Sequence, residues 1–237
     1  MIDEKYSLKH IQFLGYEVPE ALKAIIKRLE NFSLIDLGCG DGSMIHALHR
    51  ERLLKRAARI VGVDISDVRI ERFKVFCPFA EAIVGDVCDL RRIPDNSFDL
   101  AISTQVIEHV EDDVEMLKEV YRIVKPNGYL YISTVVKGRI AFWIYWNKGF
   151  KLDPTHVREY GSEKEFIGLL EKCNFTVVHW SSKKLSYPLT ELLMRGLIML
   201  TPLKTSNILL LANKPRMKQI RIRVLGYKII EALAKKD

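Results

Sequence analysis

Cysteine is scarce in this chain. The 237 residues hold four, Cys39, Cys77, Cys88 and Cys173. None forms a CxxC pair and none has a histidine at zinc-site spacing, which argues against a disulfide framework or a zinc module. Reduced thiols in a cytoplasmic compartment are the expectation. Long apolar runs are also lacking. The most apolar stretch, 185–211, is broken by Pro188, Glu191, Arg195, Pro202 and Lys204. A spanning helix needs about 20 apolar residues in succession. Met1 to His10 is charged and has no apolar centre, so no signal peptide is expected. Only 13 glycines and 8 prolines are present, too few for a collagen-like or low-complexity chain. There is no internal repeat and no Ser/Gly-rich linker. At this length the reading is a single domain over 1–237 with extensions.

What is present is an ordinary globular composition, 48% apolar and 28% charged, with an uneven charge. Residues 1–200 carry 28 Lys/Arg and 28 Asp/Glu, whereas 201–237 carry 9 basic and 2 acidic residues, so the whole net charge of +7 lies in the last segment. Such a segment is either a solvated basic face or a contact for an anionic partner, lipid headgroups or nucleic acid.

The apolar spacing predicts helices over 19–30, 42–56, 67–76, 110–124 and 162–173, with Ser66 and Ser162 as caps and Glu165 completing a capping-box spacing. Short apolar runs at 32–37, 59–63, 80–84, 98–103 and 129–136 predict strands, followed by strand-like segments at 175–180 and 227–232. Strands alternating with helices imply a parallel sheet covered on both faces. Right-handed crossovers then gather the ends of the strands on one edge, where ligands bind. Asp36, Gly38, Gly40, Asp64 and Asp86 all end such runs. Three regions stand apart: an N-terminal helical extension at 1–30, an aromatic-rich stretch at 137–160 placed as an acceptor-side lid, and an apolar and basic insertion at 185–221.

The loop Asp36-Leu37-Gly38-Cys39-Gly40-Asp41-Gly42 turns strand into helix. A dinucleotide fingerprint would place a glycine at 43, where this chain has Ser43. There is no GxxxxGK[ST] either. An acidic residue beside the loop suits a cationic ligand better than a pyrophosphate. Asp64 can accept two hydrogen bonds from ribose hydroxyls, and Asp86 can accept from an adenine amine. Ribose, adenine and a cation together describe S-adenosylmethionine. Each residue also has a plainer reading: Asp36 and Asp64 as helix-start residues, Asp86 as a turn residue, Asp41 as a solvated loop residue and Cys39 as a small loop filler.

These motifs, Leu34–Gly42, Gly62–Ser66, Gly85-Asp86-Val87, Phe98–Val110 and Leu117–Thr134, resemble the class I S-adenosylmethionine-dependent methyltransferases, in particular the small-molecule, methyltransferase type 11-like family. The resemblance implies a Rossmann-like seven-stranded sheet of order 3-2-1-4-5-7-6 with strand 7 antiparallel. It implies that Asp36 and the backbone of Gly38, Cys39 and Gly40 line the methionine moiety and that Asp64 holds the ribose. Ile65 would lie against the adenine, Asp86 and the Val87 amide would read its edge, and Thr104 and Gln105 would approach the sulfonium.

Methyl transfer is an in-line displacement in which the protein orients the partners and accepts a proton. His109, in Glu108-His109, and His156, in Asp153-Pro154-Thr155-His156, are the candidates; each is otherwise a packing or loop histidine. No Asn-Pro-Pro-Tyr motif follows 98–103, which argues against adenine and glutamine acceptors. The sequence shows no metal triad. A small-molecule or lipid acceptor is the first reading, with an RNA or protein acceptor gripped by the basic C-terminus as the alternative. The aromatic run Ala141–Trp146, the apolar 189–200 and the basic residues after it suggest an anionic membrane surface met peripherally through 185–237. Nucleic acid is less favoured, because 201–237 offers only Tyr227 for stacking.

Overall fold

The computed structural model describes residues 17–142, 153, 155–188 and 221–237. Its elements, in chain order, are α1 (Glu20–Ile26), β1 (Phe32–Leu37), α2 (Ser43–Arg50), β2 (Ala57–Asp64), α3 (Asp67–Phe76), β3 (Glu81–Val84), β4 (Phe98–Thr104), α4 (Asp113–Ile123), β5 (Val124–Phe142), α5 (Glu163–Lys172), β6 (Phe175–Pro188) and β7 (Arg221–Lys236). The strands form one sheet of order β3-β2-β1-β4-β5-β7-β6. The first five run parallel to one another, and β7 is antiparallel to both β5 and β6. This is the order and orientation that the resemblance implies.

The strand sequences explain the two faces. Along β1 every residue is buried. Leu34 points into one cluster with Leu22 and Ile26 of α1, Ile45 and Leu48 of α2, and Ile70 and Phe73 of α3. Its neighbours Ile35 and Leu37 point the opposite way, toward Met116, Leu117 and Val120 of α4 and Phe166 and Leu170 of α5. In β4, Leu100 and Ile102 join the first cluster and Ala101 the second; Phe98, which precedes the register shift at the start of the strand, also joins the second. The period-two alternation of a strand therefore fills two separate cores with one apolar run.

The caps follow the sequence closely. Ser66 Oγ accepts from Arg69 N–H (3.4 Å), and Ser162 Oγ accepts from Glu165 N–H (3.2 Å). The return bond of the second cap differs from a capping box: Glu165 Oε2 accepts from Gly161 N–H (2.7 Å), one residue before the cap. Helix α2 is shorter than the spacing predicts. It ends at Arg50, and Arg52 adopts φ 60°, which takes the chain out of the helix.

Three strands run longer than their apolar patterns. β5 extends through Lys137–Phe142, β6 to Pro188, and β7 from Arg221 to Lys236. Each is held by a partner rather than by its own propensity. Val136 pairs with Lys228, Phe142 with Leu225, and Tyr187 with Ile222. A small satellite core of Val135, Leu185, Val224 and Tyr227 lies beneath this extension.

Two of the described C-terminal basic residues are engaged within the fold. Lys236 is buried. Its Nζ donates to Asn96 Oδ1 (2.9 Å) and to the carbonyls of Tyr121 (2.7 Å) and Val124 (2.8 Å). Lys228 pairs with Glu163 at 2.7 Å. The N-terminal residues 1–16, Trp143–Trp146, 189–200 and the basic residues between 204 and 218 lie outside the described residues.

Candidate active site

The C-terminal edge of the parallel strands carries the first half of the site. Asp36, Gly38, Cys39, Ser43, Met44, Thr104 and Gln105 line a cavity there. The glycine loop is tied to β2 by Gly38 N–H and Cys39 N–H, which both donate to the Val63 carbonyl (2.8 and 3.0 Å). Asp64 completes the tie. Its Oδ2 accepts from Gly40 N–H and its Oδ1 from Ser66 N–H, each at 2.9 Å. One carboxylate thus fixes both the loop and the start of α3.

Gly38 has φ +71°, and a Cβ there would collide with the Val106 side chain. The residue after Gln105 therefore roofs the glycine loop at a distance that only glycine allows. Gln105 itself has φ 57°. Its N–H donates to the Ser133 carbonyl (2.9 Å), so the turn that ends β4 is anchored to β5.

Asp36 is buried, and its Oδ2 has no hydrogen-bond partner. Burial, with the Asp64 charge as a smaller cause, pushes its carboxyl up to about 8. An orphaned buried carboxyl facing a cavity suits a cation. Cys39 is no thiolate: burial first, then the Asp36 charge, raises its thiol well above the ordinary value.

Farther along the edge, Ile65 is half exposed at the start of α3. Asp86 Oδ1 accepts from Cys88 N–H (2.9 Å), and its carbonyl accepts from Asp89 N–H (3.0 Å), a turn that buries the Val87 side chain. Asp86 therefore keeps the turn geometry of its plainer reading and still stands at the edge.

The second half is built where 153–160 docks on 105–113. The Glu108 carbonyl accepts from Val157 N–H (2.8 Å) and Arg158 N–H (3.2 Å). The Arg158 guanidinium donates to the carbonyls of Ile107 (3.2 Å), Val110 (2.6 Å) and Glu111 (2.5 Å). Tyr160 OH donates to Asp113 Oδ2 (2.8 Å). These bonds bring His109 and His156 together, with ring centroids 4.8 Å apart in an edge-on arrangement.

The two imidazoles have different supports. His109 Nδ1 meets the Thr155 carbonyl (3.3 Å) and Thr155 Oγ1 (3.0 Å), and that hydroxyl donates to Asp153 Oδ1 (2.6 Å). Burial, helped by neighbouring His156, lowers His109 to about 4, so it is neutral near pH 7. His156 Nδ1 instead meets a carboxylate, Glu159 Oε1, at 3.0 Å. Beside them Glu108 is fully buried. Its Oε2 accepts from Thr134 Oγ1 (2.9 Å), its Oε1 has no partner, and burial pushes it up to about 7.

Glu108, His109 and His156 each offer a potential ligand atom, all within 4.8 Å of one another. The sequence reading named no metal ligands, and the structure brings these three donors into one cluster, an imidazole and carboxylate set of the kind that binds a divalent cation.

Of the residues named from sequence, Asp36, Gly38, Cys39, Thr104 and Gln105 share one cavity. Gly40 and Asp64 brace its loop, and His109 and His156 meet each other. Ser43, Met44, Val106, Glu108 and Glu159 were not anticipated. Ser43 and Met44 could have been found as the first helical residues after the loop. Glu108 and Glu159 carried only the signal of standing one and three residues from a histidine.

Residues 35–132 match the family described as methyltransferase domain. A Mycolicibacterium smegmatis protein named probable S-adenosylmethionine-dependent methyltransferase is 28% identical over 144 residues, covering 61% of this chain and 52% of that protein. The mouse mitochondrial ubiquinone biosynthesis O-methyltransferase is 31% identical over 123 residues, covering 49% of this chain and 32% of that protein. This chain thus spans about half the length of the first relative and a third of the second. Among solved structures, the Haemonchus contortus phosphoethanolamine N-methyltransferase 2, in complex with phosphomonomethylethanolamine and S-adenosylhomocysteine, superposes with a TM-score of 0.62 at 16% identity, covering 99% of this chain and 57% of that one.

Proposed function

We propose, from the premise that residues 35–132 are a methyltransferase domain of the class I S-adenosylmethionine-dependent family, that this chain methylates a small-molecule or lipid-like acceptor by in-line displacement. The observation that carries this reading is the buried, unpartnered Asp36 carboxyl oxygen among the residues that line the cavity at the glycine loop. S-adenosylmethionine, when bound, supplies a methyl group made electrophilic by the sulfonium. Asp36, with the Gly38–Gly40 backbone, would hold its cationic methionine end. Asp64, already braced by two backbone donors, would offer its remaining lone pairs to the ribose hydroxyls, beside Ile65, Asp86 and Val87. Thr104 and Gln105 would flank the sulfonium, and the histidine pair would face the acceptor.

The test is calorimetry across pH. Asp36 is held near 8 in the free protein. A cation beside it favours the ionised form, so binding below about pH 8 expels a proton. The apparent affinity for S-adenosylmethionine should therefore rise with pH up to about 8 and then level. The binding enthalpy should depend on the buffer's ionisation heat below pH 8. Asp36→Asn should abolish both dependences. No buffer dependence in the wild type would remove Asp36 from the cation site. An acceptor screen with radiolabelled S-adenosylmethionine, comparing lipid extracts, small metabolites, tRNA and protein, tests the acceptor class.

Peripheral contact with an anionic membrane is part of the same reading. Among the described residues no helix is long and apolar enough to cross a bilayer. Where β5, β6 and β7 run on beyond the other strands, Ile140 and Leu225 are 82% and 65% exposed, beside exposed Arg139 and Arg223. Apolar side chains flanked by basic ones suit a headgroup region. Co-sedimentation with phosphatidylserine vesicles should be strong at low salt and weak at high salt. The double variant Ile140→Glu/Leu225→Glu should lose it while still binding S-adenosylhomocysteine. Salt-dependent binding to tRNA without binding to vesicles would favour the nucleic-acid alternative.

A further inference from the structure

Outside the cavity at the glycine loop, donor side chains converge where 153–160 docks on the segment after β4. Glu108, His109 and His156 each offer a ligand atom within 4.8 Å of the others, and among the described residues no other three acidic, histidine or cysteine donors come together in this way. We propose that these three side chains bind one divalent first-row transition-metal ion, through Glu108 Oε1 and one nitrogen of each imidazole. Such a site would stand whatever the acceptor of the transfer is.

Glu108 supplies an observation independent of the clustering. It is fully buried, and its Oε2 accepts from Thr134 Oγ1 of β5 at 2.9 Å, while its Oε1 has no hydrogen-bond partner. Asp36 shares that condition, but it lines the cavity where the cation of the proposed cofactor would answer it. No group placed in the transfer answers Glu108. A buried carboxylate oxygen without a donor is costly, and a coordinated cation removes that cost. The donor spacing admits an ion. Three atoms no more than 4.8 Å apart lie within about 2.8 Å of a common centre, against bonds of about 2.1 Å in zinc sites, so closure needs movements of about 0.7 Å at most. His109 is partly exposed while the other two are buried, which leaves an entry path on its side.

The surroundings are those of ligating imidazoles. His109 Nδ1 meets the Thr155 carbonyl (3.3 Å) and the Thr155 hydroxyl (3.0 Å), which is bonded to Asp153. His156 Nδ1 meets Glu159 Oε1 at 3.0 Å. A metal-bound imidazole turns its other nitrogen to a carbonyl or carboxylate in the same manner. With Nδ1 engaged on each ring, Nε2 is the ligand atom. Glu159 is anchored in turn by Tyr227 OH of β7 (3.2 Å) and by Lys137 of β5 (3.3 Å). Glu108, Asp153 and Glu159 thus stand around the cluster against Lys137 and the charge of Arg69, which reaches His109. That balance favours a cation. Two imidazoles among three donors select zinc, iron(II), cobalt(II) or nickel(II) over magnesium and calcium, which take oxygen ligands. Three protein donors also leave a coordination position open, unlike the closed shell of a structural zinc site.

The experiment is calorimetry of the full chain, stripped with chelator, against zinc and cobalt(II), with magnesium as the comparison. One ion should bind per chain, and magnesium should bind far more weakly. Bound cobalt(II) should show visible ligand-field bands without a thiolate charge-transfer band, which separates the cluster from the four cysteines. Glu159→Gln, which leaves all three ligands, should weaken zinc binding by about 10-fold, the size of a lost outer-shell partner. Glu108→Gln, His109→Ala and His156→Ala each remove a ligand and should weaken it beyond about 100-fold. Glu108→Gln keeps the side chain's shape and an oxygen for Thr134, and His109 is partly exposed, so both variants should keep the metal-free melting midpoint. Zinc should raise that midpoint in the wild type and leave it unmoved in the ligand variants. Absence of zinc binding to the wild type would overturn the site. So would unchanged affinity in the ligand variants, magnesium bound as tightly as zinc, or a thiolate band with cobalt(II).

Discussion

Replacing Phe73 by alanine should cost about 3–5 kcal/mol of stability, at the upper end for a core aromatic. The size follows from what surrounds the ring. Phe73 is fully buried in the α1–α3 core. Its Cε2 and Cζ stand 2.6 Å from where a Gly62 Cβ would be, and its Cδ2 stands 2.9 Å from where a Gly42 Cβ would be. Two glycines have therefore ceded their side-chain space to one phenyl ring. A cavity there cannot be refilled from their side, because neither has atoms to move into it. The thermal midpoint should fall by roughly 10 °C, at about 2–4 °C per kcal/mol for a chain of this length. Phe73→Leu should lose about half as much. A loss below about 1.5 kcal/mol for Phe73→Ala in denaturant titration would mean that the ring is not the keystone under the glycine loop.

Asp64→Ala should weaken S-adenosylhomocysteine binding by about 10- to 100-fold. Two effects combine. The ribose would lose a charged acceptor, worth about 1.5–3 kcal/mol. Gly40 N–H and Ser66 N–H would lose the oxygens that now hold them at 2.9 Å, loosening the loop that lines the cavity. Asp64→Asn separates the two. The amide oxygen can keep one backbone donor, but the amide nitrogen would face the other donor, hydrogen against hydrogen. The Asp64→Asn variant should therefore bind almost as poorly as Asp64→Ala, although the shape of its side chain is unchanged. Calorimetric affinities equal to wild type in both variants would remove Asp64 from the site.

The fold was legible where local pattern and tertiary context agree. β1 and β4 are short apolar runs bounded by polar turns, and they appear within one residue of their predicted limits. The Gly38–Gly42 loop was legible because glycine there answers a backbone need. β7 was only half legible. The apolar pattern predicts a strand only at 227–232, yet the strand runs from Arg221 to Lys236, because β5 and β6 flank it on both sides and hold it extended. Pairing overrides propensity in such a central strand. The site divides in the same way. Its cavity side chains sit on consecutive motif residues, whereas the contact of His109 with His156 depends on Arg158 reaching three carbonyls that no spacing rule connects to it. Lys236 was read as part of a basic surface and is a buried bracket with three oxygen partners. A lysine at the end of a chain gives no sequence signal of that kind.

The position of β7 also sets the order in which this sheet can be completed during synthesis. Of the seven strands of this sheet β7 is made last, and it lies between β5 and β6, with Tyr129 paired to Lys235 and Phe175 to Lys236. Until it arrives, β5 is an open edge with a run of unpaired backbone groups, and β6 has no neighbour in the sheet. Such an edge is a template for pairing with other chains, and closing it requires contacts between residues far apart in sequence, which form slowly. The nascent chain therefore carries its greatest aggregation hazard late, after the glycine-loop half has been made and before the final strand is inserted.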